Sequence, residues 1–297
     1  MENLRFGVDL GGTKIEGVVL NGAGEVLDRR RIATEQEGGY DHICGRIEAL
    51  LRQLEVTVGR EAASVGIGTP GAIDPPTGLM KNSNTVVLNG RPLAGDLEAR
   101  LGRPVRLAND ANCFAVAEAV LGVGRRFADA RVTFGVIMGT GVGGGIVVDG
   151  RVLGGAQGIG GEWGHMFLDH SGGACYCGRV GCVERIVSGP AVEAYYAKVS
   201  GRQATMREVM RRYRSGETAA VRAVDRWLHF FARGIANVIN VLDPDLVVLG
   251  GGLGNVEELY TLGVPRVADH LFNRRMDTLF VRPELGDSAG VFGAALL

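Results

Sequence analysis

Residues 161–184, GEWGHMFLDHSGGACYCGRVGCVE, hold one histidine and three of the chain's five cysteines in the order His-x9-Cys-x-Cys-x4-Cys, with a glutamate at either side. His165, Cys175, Cys177 and Cys182 form a Cys3His set of the kind that closes a tetrahedral zinc site. Four protein ligands leave no position for water, so such an ion braces the loop and takes no part in chemistry as a Lewis acid. A disulfide within the set would leave an odd thiol, and three cysteines that only share a loop are the plainer alternative.

Three glycine turns carry a second kind of chemistry. In DLGGTK a strand ends at Asp9 and is followed by Gly11, Gly12, Thr13 and Lys14. Backbone N–H groups and a threonine hydroxyl in such a turn can face an anion. Asp9 then either holds Mg²⁺ through water, since that ion prefers a few carboxylates and keeps its waters, or caps a tight hairpin. The turn GTGVGGG presents Gly139, Thr140, Gly141, Val142 and Gly143 and satisfies G-x-G-x-x-G. A dinucleotide fold needs a helix directly after that fingerprint, but the strand-like IVVDG follows, so the expectation is a second phosphate hairpin. No Gly-Lys-Ser/Thr closes the turn, which excludes a P-loop. In VVLGGGLGN a buried strand runs into Gly250, Gly251, Gly252 and Leu253 before a helix, which lets a flat ligand lie close to the backbone.

The elements that must position these turns read as α/β. LRFGVDL, KIEGVVL and EVLDRRRIA are three strands, joined by GGT and by NGAG, a hairpin signal. Helical spacing covers Tyr40 to Val56, then come the strand SVGIG, a helix from Leu93 to Leu101, the strand VRLA, and a helix opening at Asn109 or Asp110. The pattern restarts with the strands VTFGVIM, GIVVDG and RVLGGA. Helices follow around Ala191 to Val199, Met206 to Tyr213 and Glu217 to Leu242, then the strand DLVVLGGG, a further helix, and a final small-residue helix in SAGVFGAALL. Strand, glycine turn, strand, turn, strand therefore opens the chain twice, as an internal duplication would produce. We expect a smaller N-terminal α/β domain over 1–118, with the helix of 289–297 packing back on it, and a larger one over 119–288. The site is expected in the cleft between halves.

The composition excludes several classes. The chain has 297 residues, 46% hydrophobic and 22% charged, with a formal net charge of −1, so no electrostatic argument points to nucleic acid or a membrane surface. No apolar run reaches a membrane span, and MENLRFGVDLGG lacks the features of a signal peptide. We expect a cytosolic protein with reduced thiols. Glycine makes up 48 residues, about twice the usual share, concentrated where strand-like runs end.

In DLGGTK, GTGVGGG, LANDANCFAVAEA, EWGH, CYCGRVGC and LGGG, over its whole length and in order, the chain resembles the ROK family (repressors, open reading frames, kinases) of sugar kinases. The resemblance implies a two-domain actin-like ATPase fold (ribonuclease H-like, hexokinase-type) with duplicated β-hairpin-led α/β halves. It implies ATP-dependent phosphorylation of a hexose, usually at the 6-hydroxyl, with fructose, mannose or glucose as first expectation and N-acetyl-D-glucosamine as the alternative. Asp110 would accept the proton of the attacking hydroxyl, a role that suits a carboxylate because phosphoryl transfer needs an oriented alcohol and light base assistance. One of Asn109 and Asp110 can also serve only as a helix N-cap. Asn109 can offer both a donor and an acceptor to sugar hydroxyls; the family pattern places sugar contacts at Glu162, His165 and Glu184, and Thr69, Pro70, Gly71 and Asn84 close the other side. It matches the Cys3His spacing and so favours structural zinc, with the second ring nitrogen of His165 turned to a sugar hydroxyl. The phosphate turns lie elsewhere in the sequence, so the zinc loop should act on sugar more than on ATP. Cys44 and Cys113 read as ordinary buried thiols. A homodimer is expected. Repressors of the family carry a helix-turn-helix domain ahead of this region, for which FGVDLGG at residue 6 leaves no room. A sugar sensor without catalysis is the non-enzyme alternative.

Overall fold

A computed structural model describes residues 4–273 and 275–297, so the first three residues of the N-terminal stretch lie outside it. In chain order come β1 (Arg5–Leu10), β2 (Lys14–Leu20), β3 (Val26–Ala33), α1 (Tyr40–Val58), β4 (Val65–Thr69), β5 (Ala72–Ile73), β6 (Met80–Lys81), α2 (Leu93–Leu101), β7 (Val105–Asn109) and α3 (Asp110–Val120). They are followed by β8 (Val132–Met138), β9 (Val142–Val148), β10 (Arg151–Val152), α4 (Glu184–Val187), α5 (Gly189–Ser200), α6 (Met206–Arg214), α7 (Thr218–Leu242), β11 (Leu246–Gly250), β12 (Leu279–Val281) and α8 (Ala289–Ala294). One five-stranded sheet has the order β3-β2-β1-β4-β7 and the other β10-β9-β8-β11-β12. The chain divides into two compact units. One takes the described residues up to Asp129 with Gly145–Gly161 and Pro283–Leu297, and the other takes Ala130–Gly144 and Glu162–Arg282.

In the first unit β1, β2 and β3 pair antiparallel, while β1, β4 and β7 run parallel. Side chains alternate across β1. Phe6, Val8 and Leu10 join Ile15 and Val19 in a core with Ile43, Ile47, Leu50 and Leu54 of α1. The opposite face carries Gly7 and Asp9, and α8 covers it. A Cβ on Gly7 would lie 2.5 Å from the Val291 carbonyl oxygen, and one on Gly66 would lie 1.8 Å from that of Ala294. The sheet therefore has glycine where the helix backbone crosses it. On its other side α8 meets α3, where a Cβ on Gly293 would fall 1.8 Å from the Cys113 carbonyl oxygen. Only a helix of small residues fits between, which accounts for GVFGA.

In the second unit β8, β11 and β12 run parallel. The long helix α7 buries Trp227, Leu228, Phe231 and Ile235 on one face, a spacing that follows the helical period. It stops at Asp243, whose φ of 47° is left-handed, just before Pro244.

Two expected elements differ. RVLGGA forms only the two-residue β10, because the chain turns at Gly154 and Gly155, the latter at φ 77°. Among the described residues, no α-helix lies between β11 and β12. Short 3-10 turns at Gly252–Asn255 and Pro265–His270 flank a π turn at Leu259–Gly263. Three glycines and a proline without an N–H make a regular helix unfavourable there. Among the described residues, no helix is long and apolar enough to cross a membrane.

Candidate active site

The first unit gathers acids at the C-terminal ends of its parallel strands. Asp9 on β1 lies opposite Gly68 on β4, and the β4 pairing places Thr69 opposite Asn109 on β7. A Cβ on Gly68 would lie 3.4 Å from Asp9 Oδ1 and 3.2 Å from Cys113 Sγ, and one on Gly290 would lie 3.3 Å from Asp9 Oδ2. Glycine at both positions opens the space that Asp9 fills. Burial, then the charges of Asp110 and Glu16, push the Asp9 carboxyl up to about 6, against Lys14 and Arg31. Burial also raises Asp110, although the Ala111 N–H donates to its Oδ1 at 2.8 Å. Cys113 is fully buried, and its thiol is pushed up by burial and then by Asp9 and Asp110. Parallel pairing has thus brought Asp9 near the first turn of α3, with Asp110 and Cys113, far from it in sequence.

Asn109 is the N-cap of α3, its side-chain oxygen accepting from the Asn112 N–H at 2.8 Å. The capping role falls to Asn109, and Asp110 stands in the first turn beside it. The remaining sugar candidates of this unit sit on supported loops. Thr69 donates to the Gly71 carbonyl at 2.9 Å, and a Cβ on Gly71 would meet the Lys81 carbonyl oxygen at 2.7 Å. Pro70 lies between these two anchored positions. Asn84 is exposed between buried Ser83 and Thr85, in a loop that Asn89 ties down with two hydrogen bonds to the Ser83 backbone.

The DLGGTK turn is a tight hairpin. Gly11 N–H donates to the Lys14 carbonyl at 3.0 Å and Thr34 donates to the Gly11 carbonyl at 2.7 Å. The Thr34 N–H donates to the Thr13 carbonyl. Gly12 faces the Thr85 hydroxyl. Across the strands, Asp9 pairs with Glu16 and Glu16 with Arg31. Burial would raise the Glu16 carboxyl, but hydrogen bonds from Arg29 and Arg31 together outweigh it and hold it low.

In the second unit the two other glycine turns meet. A Cβ on Gly139 would find the Gly252 nitrogen at 3.9 Å. Gly251 adopts φ 75° and packs on Met138, which brings Gly250 to Leu253 beside Gly139 to Val142. A Cβ on Gly252 would touch nothing within 4 Å, and its φ is not left-handed. Gly252→Val is therefore accommodated by the fold but projects into the space above both turns. If these turns cradle a nucleotide, this variant should raise the KM for ATP by about tenfold or more. Its melting temperature should stay at the wild-type value. An unchanged KM for ATP in the folded variant removes the turns from the nucleotide site.

The segments read as sugar contacts brace this same hairpin, a connection the sequence does not show. Glu184 Oε2 accepts from the Val142 N–H at 2.9 Å, across 42 residues, and lies 2.8 Å from a Cβ placed on Gly141. Gly189 N–H donates to the Gly139 carbonyl at 2.9 Å. Trp163, in the EWGH turn, donates from Nε1 to the Gly143 carbonyl at 2.9 Å, and a Cβ on Gly164 would lie 2.0 Å from the Val142 carbonyl oxygen. Glu162 precedes this turn and His165 ends it. Any side chain at Gly141 would strike Glu184, so that position cannot separate effects on phosphate from effects on sugar. These bonds tie the segments that flank the zinc loop to the second phosphate turn.

The cysteine loop places all its donors together. The ligand atoms of His165, Cys175, Cys177 and Cys182 lie within 4.8 Å of one another. Cys177 Sγ and Cys182 Sγ are 3.6 Å apart, and Cys175 Sγ is 3.7 Å from His165 Nδ1. Tetrahedral zinc with Zn–S bonds of about 2.3 Å separates its sulfurs by about 3.8 Å, so the donor set fits that ion. It does not fit a disulfide, which needs sulfurs about 2.0 Å apart, and all five cysteines are free thiols. Burial and then the neighbouring thiols push Cys182 up to about 12, a crowding that a divalent cation relieves. Gly181, at φ 77°, donates to Gly173, and a Cβ there would lie 2.6 Å from the Asp169 carbonyl oxygen. The second ring nitrogen of His165 meets the Tyr176 hydroxyl at 2.9 Å.

Sequence reasoning passed over three further residues. Tyr176 carries no signal beyond its place between two cysteines. The Asn112 side-chain oxygen is a buried acceptor without a hydrogen-bond partner among the described residues. Glu118 is fully buried and accepts from the N–H groups of Val123, Glu284 and Leu285, which fixes the approach to α8. A charged residue on a helix gives no sequence cue to such distant backbone partners.

Two α/β units led by β-hairpins, glycine turns at strand ends and acids beside them define the actin-like ATPase class. The chain belongs to the ROK family, whose model matches residues 5–297. It is 36% identical over 302 residues to the N-acetyl-D-glucosamine kinase of Pectobacterium atrosepticum, covering 98% of each chain. It is also similar to the crystal structure of the ROK hexokinase from Thermus thermophilus, with a TM-score of 0.89, 33% identity and coverage of 99% of this chain and 97% of that one. A ROK family glucokinase from Streptomyces griseus, solved in complex with glucose and AMPPNP, matches with a TM-score of 0.73 at 28% identity over 98% of both chains.

Proposed function

We propose that this protein is an ATP:sugar phosphotransferase that phosphorylates a hexose at its 6-hydroxyl. The observation that carries this reading is the pair of carboxylates at the C-terminal ends of the parallel strands, half-buried Asp9 and Asp110, on the fold of a family whose related members are named as sugar kinases. Asp110 accepts the hydroxyl proton as the sugar oxygen bonds to the γ-phosphorus and the bond to ADP breaks. Its raised proton affinity brings it closer to the working pH, where a general base is most effective. Asn109 spends its carbonyl on the helix cap and offers its amide nitrogen to the sugar, with Pro70, Gly71 and Asn84 beside the same substrate. Glu162, His165 and Glu184 are the sugar contacts of the second unit.

Nucleotide phosphates lie at Gly11 to Lys14 and Gly139 to Gly143, and the base side lies at Gly250 to Leu253. Asp9 would hold Mg²⁺, which would supply the charge neutralisation that phosphoryl transfer needs. Zinc on His165, Cys175, Cys177 and Cys182 is structural, and the enzyme works in the cytosol as a homodimer.

Fructose, mannose and glucose are the first substrates to test. The names of the relatives favour N-acetyl-D-glucosamine as a second reading. Each sugar is offered with ATP and Mg²⁺, and ADP release is followed by a coupled assay. ADP release that requires one of these sugars is the expected result. Sugar binding without turnover would favour the sensor, and neither binding nor turnover would defeat the reading.

A further inference from the structure

We propose that Tyr176 is a displaceable plug of the sugar site, its hydroxyl holding the His165 Nε2 position until a hexose hydroxyl takes it over. The proposal deepens the sugar-kinase reading and rests on it. His165 turns Nδ1 toward Cys175 Sγ at 3.7 Å and Nε2 toward the Tyr176 hydroxyl at 2.9 Å. A histidine whose Nδ1 is given to a metal is neutral and carries its proton on Nε2. That N–H has one proton to donate, and the phenol oxygen accepts it. A sugar hydroxyl that binds this nitrogen must therefore compete with Tyr176.

The surroundings suit a plug rather than a packed wall. Tyr176 is 81% exposed, so little packing opposes rotation of its side chain. Its ring stands edge-on to the imidazole, with centroids 5.1 Å apart at 89°. Its backbone sits between Cys175 and Cys177, and the Cys175 carbonyl accepts from Gly178 N–H at 3.0 Å. The plug is thus a mobile side chain on a fixed base. A phenol hydroxyl on the imidazole N–H stands where one hydroxyl of a sugar would.

When the binding-competent state is only a fraction of the population, apparent affinity falls by that fraction. Removing the hydroxyl while keeping the ring should recover it. In Tyr176→Phe we expect the dissociation constant for the sugar, measured calorimetrically without ATP, to fall about three- to tenfold. Zinc content, melting temperature and the KM for ATP should match wild type. The sugar is whichever of fructose, mannose, glucose and N-acetyl-D-glucosamine the wild type phosphorylates. An unchanged or larger dissociation constant at full zinc content overturns the plug. If the variant loses zinc, the wild-type protein is titrated with the same sugar and the His165 Nε2 proton is followed by NMR. A resonance unmoved at saturation then overturns the plug, and a shifted one supports it. A wild-type protein that neither binds nor phosphorylates any of these sugars defeats the kinase reading and the plug with it. A working kinase whose affinity ignores the substitution defeats the plug alone.

Discussion

Asp110→Asn should lower kcat by about 10²- to 10⁴-fold and leave most sugar affinity in place. The amide is nearly the same shape and can still accept the Ala111 N–H, which the carboxylate takes at 2.8 Å, but it cannot take a proton from the substrate. The same substitution should not cost stability. Burial raises the Asp110 carboxyl above its ordinary value. A carboxyl whose folded pKa exceeds its unfolded one favours the fold while protonated, and that support is lost as pH rises from the unfolded value through the folded one. At neutral pH the folded protein therefore bears a charge it would shed, and asparagine removes it. Asp110→Asn should melt at or above the wild-type temperature at pH 7 to 8, in keeping with the trade between activity and stability at active sites. For wild type, the acid limb of kcat/KM should lie above the range of an ordinary aspartate. Asp9 is pushed up as well, to about 6. Near-normal turnover by a folded Asp110→Asn protein would remove Asp110 as the base.

Cys177→Ser should abolish zinc binding, lower the melting temperature by several degrees and weaken the binding of sugar and ATP together. Metal binding to a loop with little core of its own contributes folding free energy directly. Residues 170–182 have few buried side chains, and their shape rests on turns such as those of Gly173, Gly178 and Gly181. The loop leads straight into Glu184, whose carboxylate holds the Val142 N–H, and then into Gly189, whose N–H holds the Gly139 carbonyl. Loosening the loop therefore releases the second phosphate turn along with the sugar contacts. A variant that loses sugar affinity but keeps wild-type ATP affinity would show that the hairpin holds itself. Elemental analysis of the wild type comes first, because a folded, active preparation without metal would defeat the zinc assignment. Activity that rises on chelation at unchanged stability would do the same.

What the sequence determined by itself is what local chemistry can specify. The two hairpin-led openings were legible because alternation and glycine-rich turns act over a few residues. The start of α3 was legible because Asn and Asp are the residues that cap helices. The Cys3His set was legible from spacing, since all four donors lie in one short loop. The failure after LGGG was local too, because apolar spacing there competes with glycines and Pro265 that break a regular helix. Only the tertiary structure decided which distant groups share a site. Asp9 and Asp110 meet because β1, β4 and β7 pair in parallel, and Gly68 and Gly290 leave the room. Glu184 reaches Val142, Glu118 reaches Leu285, and Gly139 meets Gly252 through contacts that span tens of residues and leave no periodic trace. Tyr176 is near His165 in sequence, yet its contact depends on which way the imidazole turns once the cysteines claim its other nitrogen. Each of these pairings joins groups whose own neighbours in sequence carry no information about the partner, so they exist only once packing has chosen the register.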